Sequence, residues 1–243
     1  MATTISPTPA RSAPAGRIFN HEKYELVWGT IYVGLATNAL VVVACLPLVI
    51  MLFTTNPAAS WPMLAILAFL LGPALTGAFA AFRGFSETGS TTAVRTFWKA
   101  WARNFQRTAT IAALLAALTT IGGINIAFLW NEQALGAALI PLQVILIVLG
   151  MVTALMALVG QLDHPQLRLL DLLRLALFVA VRRWYLSLIG LVMLGLLGTV
   201  VTELPAIGLG LAIAPLLYVT WGAARNAWRP ASAEPKMSEK ETQ

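Results

Sequence analysis

Long apolar runs, separated by short polar or basic segments, dominate this chain. The runs cover about residues 27–53, 61–82, 108–130, 137–160, 185–202 and 204–224. At about 1.5 Å per residue, helices of this length span roughly 30 Å of membrane hydrocarbon. A membrane β-barrel would instead need alternating segments of about ten residues. The pattern therefore predicts an all-α integral membrane bundle of about six transmembrane helices, with only the Glu203-Leu204-Pro205 turn between the last two.

The positions of the charged residues predict the orientation of the bundle. With six spans, all 16 Lys and Arg residues fall on one side of the membrane, in the two tails and in the segments 83–107 and 168–183. The opposite loops carry only the acids Glu132 and Glu203. Because cytoplasmic loops are enriched in Lys and Arg, we expect a multi-pass membrane protein with both termini in the cytoplasm.

Tryptophan residues give a second indication of the span ends, because indole favours the headgroup level of a bilayer. Trp28, Trp184 and Trp221 are predicted at cytoplasmic ends, and Trp61 and Trp130 at outer ends.

Composition excludes a soluble domain. Hydrophobic residues make up 58% of the chain and charged residues 11%, whereas soluble domains carry about 25% charged residues. The net charge of +6 would suggest nucleic acid in a soluble protein. Here the cations flank membrane spans, so the lipid bilayer is the expected partner and nucleic acid is not. Residues 1–24 and 229–243 are predicted to be disordered cytoplasmic tails of a transmembrane domain over residues 25–228.

The segment 91–107 has the pattern of an amphipathic helix. The apolar residues Val94, Phe97, Trp98, Trp101 and Phe105 share one face, and Arg95, Lys99, Arg103 and Arg107 share the opposite face. Such a helix could lie along the headgroups, with its tryptophans inserted and its cations toward anionic lipid. It could equally pack on the cytoplasmic ends of the other helices, or its basic face could contact a partner protein. A second cytoplasmic helix, over residues 166–184, is predicted to be partly covered by the bundle.

Uncharged amides are the candidate substrate-binding groups inside the spans. Asn38, Asn125 and Gln143 could line a path for a neutral solute, although such amides more often form one interhelical hydrogen bond. Cys45 is interpreted as a packing residue, and His164 as part of a loop. No catalytic residue, metal site or cofactor is predicted, because the sequence has no nucleotide-binding motif and no histidine pair for haem.

Three stretches resemble the bacterial YesL-like membrane proteins, a family without an established function. They are NALVVVACLPLVIM from Asn38, GPALTGAFAAFRG from Gly72 and FWKAWARNFQRT from Phe97. The resemblance covers roughly the first half of the chain. It implies a non-enzymatic protein that is accessory to bacterial carbohydrate uptake and contacts ABC transporter subunits. Two alternatives stay open at this point: a permease for a small neutral solute, and a membrane scaffold for an unknown partner.

Overall fold

The computed structural model describes residues 18–89, 91–130 and 132–229, and these residues form an all-helical bundle without β-strands. The helices are α1 (Ile18–Ala44), α2 (Leu46–Thr54), α3 (Pro57–Leu67), α4 (Leu71–Thr88), α5 (Ala93–Leu129), α6 (Gln133–Asp163), α7 (Leu169–Arg182), α8 (Trp184–Glu203), α9 (Pro205–Ile207) and α10 (Ile213–Trp228). A 3₁₀ turn, Ala68–Leu70, joins α3 to α4, and a π-helical turn, Gly208–Ala212, joins α9 to α10.

Five helical stretches among the described residues are long and apolar enough to cross a membrane. They are Ala59–Thr88, Ala93–Leu129, Leu135–Asp163, Trp184–Glu203 and Pro205–Trp228. A sixth candidate is the pair Trp28–Ala44 and Leu46–Thr54, which is bent by 74°. The bend has a local cause, because Pro47 lacks an N–H and its ring clashes with the carbonyl one turn earlier in a continuous helix. The predicted run 27–53 is therefore two helices that meet at Cys45.

Two predicted boundaries differ from the structure. Helix α1 begins at Ile18, inside the segment 1–24 that the sequence assigned to the N-terminal tail; residues 1–17 and 230–243 lie outside the described residues. The segment 91–107 is not a separate helix, since α5 runs unbroken from Ala93 to Leu129. No proline interrupts these 37 residues, so the helix reaches about 55 Å.

Helices α4 and α5 cross closely because α4 presents small residues to α5. A Cβ on Gly72 would meet the backbone oxygen of Thr108, and one on Gly77 would lie 2.8 Å from the ring of Phe97. Phe97 is fully buried as a result. The aromatic face of residues 93–107 therefore packs on the bundle, as the second interpretation of that segment proposed.

Several basic residues of the described chain gather at one end of the bundle, which we call the basic end: Arg83, Arg107 and Arg225, around the corner at residues 162–167. Arg83 forms an ion pair with Asp163 at 2.9 Å, and Arg225 forms one with Glu87 at 2.6 Å. These pairs join α4, α6 and α10. The part of α1 around Gly29 lies close to this end, since a Cβ on Gly29 would come within 3.2 Å of the Phe85 ring.

The five tryptophans predicted at span ends differ in exposure. Trp28, Trp61, Trp130 and Trp184 are exposed. Trp221 is only 4% exposed and packs against Phe82 and Tyr218 in the core. Its place near the end of an apolar run did not distinguish a core residue from one at the membrane surface.

Candidate functional site

Asn38, a candidate substrate ligand, holds two helices together. Its Nδ2 donates to the Gly210 carbonyl at 2.7 Å, and its Oδ1 accepts the Ala214 N–H at 2.6 Å. A regular α-helix would join those two backbone groups to each other. The π-helical turn separates them, so the Asn38 amide bridges the gap from α1. With an exposed fraction of 3% and both amide atoms bonded, Asn38 is a structural residue.

The other two candidate amides lie elsewhere. Gln143 on α6 places its amide against Gly122 of α5, where a Cβ would come within 2.7 Å of its Nε2. Asn125 lies near the far end of α5 and is exposed. Asn38 belongs to the contact between α1 and the last helix, whereas Gln143 belongs to the contact between α5 and α6. The three amides therefore do not meet at one site.

The aromatic residues at the start of α5 form a continuous row of edge-to-face and tilted ring contacts. Ring centroids are 5.5 Å apart for Phe97 and Trp98, 5.3 Å for Trp98 and Trp101, and 4.8 Å for Trp101 and Phe105. Trp98 and Trp101 are partly buried against the core. These contacts hold one face of α5 against the bundle, and the cations on the opposite face of the same turns are exposed.

Arg107 has a different role from the other three cations of α5. Its Nη1 donates to the Pro165 carbonyl at 3.0 Å and its Nη2 to the Leu167 carbonyl at 2.7 Å. From the other side, Arg83 donates to the Leu162 carbonyl at 2.6 Å, at the end of α6. The two arginines hold the corner after α6 against α4 and α5, which satisfies carbonyls that a helix end leaves open.

A cleft of about 460 Å³ opens between this corner and α5. We call it the cationic cleft. One wall consists of Arg95, Lys99 and Arg103, with Thr96 and Asn104 beside them, and the other of Gln161, Leu162 and Pro165. The cations follow one another at intervals of four residues, so they share one helix face. The lining includes no carboxylate, and none of the three cations has a hydrogen-bond or ion-pair partner among the described residues.

Two amide side chains of the cleft have oxygens without a hydrogen-bond partner in the part of the chain that the structure describes. Asn104 donates through Nδ2 to the Ala100 carbonyl at 3.0 Å. Gln161 is 1% exposed and donates through Nε2 to Thr76 Oγ1 at 3.1 Å, while its Oε1 has no partner in the described part of the chain. The cleft therefore combines cationic donors on one wall with amide acceptors beside and opposite them.

Sequence reasoning found the cations of this cleft but missed both amides and the wall that carries Gln161. One signal was present, since Gln161 follows a long apolar run that ends at Gly160. The role of Gln161 in the cleft depends on the corner that Arg83 and Arg107 hold in position, and no local sequence pattern predicts that corner.

Comparison with known proteins adds no relative. No protein family, curated protein or solved structure matches the chain. The resemblance to the YesL-like proteins stays a prediction, and the functional argument rests on the chain's own residues.

Proposed function

We propose that this chain is a non-enzymatic multi-pass protein of a bacterial cell membrane, accessory to carbohydrate uptake. In this proposal the bent pair α1 and α2 counts as one of six spans, and both termini and the basic end lie in the cytoplasm. ABC transporter subunits are the proposed partners. The carbohydrate and transporter parts rest on the family resemblance alone.

The observation that carries the proposal is the difference between the two ends of the bundle. The basic end gathers Arg83, Arg107 and Arg225 in contacts between helices, whereas the three cations of the cationic cleft have no partner among the described residues. The connections at the opposite end are short, from Thr54 to Pro57, Leu129 to Gln133 and Glu203 to Pro205. The positive-inside rule supports a cytoplasmic basic end, and a surface of unpaired charge supports recognition of a partner there.

The lack of a common site for the amides favours this role over a permease for neutral solutes. The amide of Asn38 is fully used by the backbone of the last helix. No Asp, Glu, Lys or Arg lies inside the apolar runs of α5, α6 or α8, where a coupled carrier would usually place one.

Site-directed crosslinking in whole cells tests the proposal. Cys45, the single cysteine, is replaced in C45A, and one exposed position is then changed to cysteine, either S86C at the basic end or N56C at the opposite end. A membrane-impermeant maleimide is expected to label N56C in intact cells and S86C only after permeabilisation.

A photoactivatable crosslinker on S86C is expected to capture a transporter subunit, identified by mass spectrometry, whereas the matched N56C protein captures none. Equal capture from both positions, or labelling of S86C in intact cells, would contradict the proposal.

A further inference from the structure

We propose that the cationic cleft binds a phosphate ester that also carries hydroxyl groups. Two sources share this chemistry: a soluble polyol phosphate and the headgroup of phosphatidylglycerol. The inference goes beyond the proposed accessory role, because it concerns a small ligand rather than a protein partner.

The charge of the cleft supports an anionic ligand. Arg95, Lys99 and Arg103 line it, and no carboxylate in its lining neutralises them. Repulsion between like charges on one helix face is relieved when an anion lies between them. Arginine and lysine are the side chains that most often bind phosphate, through charge-assisted hydrogen bonds.

The size of the cleft supports a ligand larger than a single phosphate ion. Arg95 and Arg103 are eight residues apart, which is about 12 Å along a helix. The volume of about 460 Å³ lies within the usual range for small-molecule sites, roughly 300–1,000 Å³. A phosphate held by two of the cations would leave room for an attached polyol.

The amides of the cleft support hydroxyl groups on that ligand. Gln161 donates both of its N–H groups to the protein, to Thr76 Oγ1 and the Leu158 carbonyl, so it offers a ligand only its oxygen. Asn104 donates one N–H to the Ala100 carbonyl and can offer a ligand its oxygen and its second N–H. The Gln161 oxygen is buried and has no partner among the residues that the structure describes, a condition that is rare because an unmade hydrogen bond is costly in a buried place. A polyol attached to the phosphate adds hydroxyl donors that can reach such acceptors, beyond the P–O–H that inorganic phosphate itself carries at neutral pH.

The first arm of the test uses soluble ligands with the full-length protein in phosphatidylcholine nanodiscs. Calorimetric titration is expected to show saturable binding of glycerol 3-phosphate, weaker binding of inorganic phosphate and none of glycerol. The triple variant R95Q/K99Q/R103Q should weaken glycerol 3-phosphate binding by at least roughly tenfold. The matched control R168Q/R174Q/R229Q removes three exposed cations outside the cleft and should change it less than about twofold.

The second arm uses lipid. In nanodiscs of mixed phosphatidylcholine and phosphatidylglycerol, native mass spectrometry counts the phosphatidylglycerol molecules that stay bound. If the cleft variant loses bound phosphatidylglycerol and the control variant does not, the cleft binds the lipid headgroup. The pH dependence separates the sources, because a monoester loses its second negative charge below a pKa of about 6 and a phosphodiester lipid does not.

A selectivity measurement tests the amides. Asn104→Ala should reduce the preference for glycerol 3-phosphate over inorganic phosphate, since it removes an acceptor and no charge. The proposal is overturned if neither ligand binds, or if the cleft variant and the control lose binding equally, because the cations would then act only as general surface charge.

Discussion

At the scale of single residues, a polar side chain in an apolar helix is explained by the backbone that it contacts. Asn38 lies in a long apolar run, and its amide joins the Gly210 carbonyl to the Ala214 N–H. Pro215 follows directly and has no N–H to donate, which extends the stretch without regular helix bonds. In a medium without water, a side chain from another helix must satisfy such groups.

Replacing Asn38 by leucine is expected to destabilise the protein by about 2–3 kcal/mol, because two buried backbone groups lose their partner. Asn125→Leu is the matched control, since Asn125 is exposed, and it should change stability by less than about 0.5 kcal/mol. Unfolding by SDS titration in mixed micelles, followed by circular dichroism, measures both. Equal stability of the two variants would mean that the last helix closes the gap without help.

At the scale of elements, the close crossing of α4 and α5 determines how the start of α5 packs on the bundle. Gly72 faces the backbone oxygen of Thr108, and Gly77 faces the Phe97 ring. Small residues allow such contact, and in membranes packing of this kind provides much of the attraction between helices. The same crossing brings the start of α5 against the bundle, which leaves Arg95, Lys99 and Arg103 on the free face.

Gly72→Ala should force α4 and α5 apart, because a backbone oxygen cannot move aside as a flexible side chain can. We expect a loss of roughly 1–3 kcal/mol, the usual cost of overpacking. Gly123→Ala on α5 is the matched control, since nothing lies within 4 Å of the added Cβ. Thermal unfolding in detergent compares the two variants. A Gly72→Ala protein as stable as Gly123→Ala would show that the crossing adapts without cost.

At the scale of the whole molecule, α5 is longer than the membrane is thick. Its length of about 55 Å exceeds a hydrocarbon core of roughly 30 Å. If residues 108–129 cross the bilayer, the turns that carry the cationic cleft extend beyond it. The cleft then lies in water or among headgroups, where a charged ligand has access.

Spin labels on α5 test this placement. In the C45A background, A102C and A113C place labels at two exposed positions of the same helix, about 16 Å apart along its axis. In liposomes, the label at 102 should collide mainly with a water-soluble nickel complex, and the label at 113 mainly with oxygen dissolved in lipid. Identical collision profiles at both positions would contradict the placement of the membrane along α5.

The sequence predicted the helical class and the presence of several apolar helices long enough to span a membrane, because the length of an apolar run follows directly from the thickness of a bilayer. The sequence did not predict features that depend on contacts between residues far apart in the chain. The bend at Cys45 follows from Pro47 but its angle does not, and the burial of Trp221 depends on Phe82 and Tyr218. One wall of the cationic cleft could be predicted from the sequence, since its three cations share one helix face. The other wall could not, because Gln161 is placed opposite the cations by the corner that Arg83 and Arg107 hold in position.

The Asn38 bridge also has a consequence in time. Asn38 and Ala214 are 176 residues apart in the chain, and ribosomes add about 5–20 residues per second. Asn38 is therefore synthesised roughly 10–35 s before its partner backbone exists. During that interval its amide must bind water, lipid headgroups or an insertion factor, and release of that temporary partner becomes a late step in the biogenesis of the whole protein.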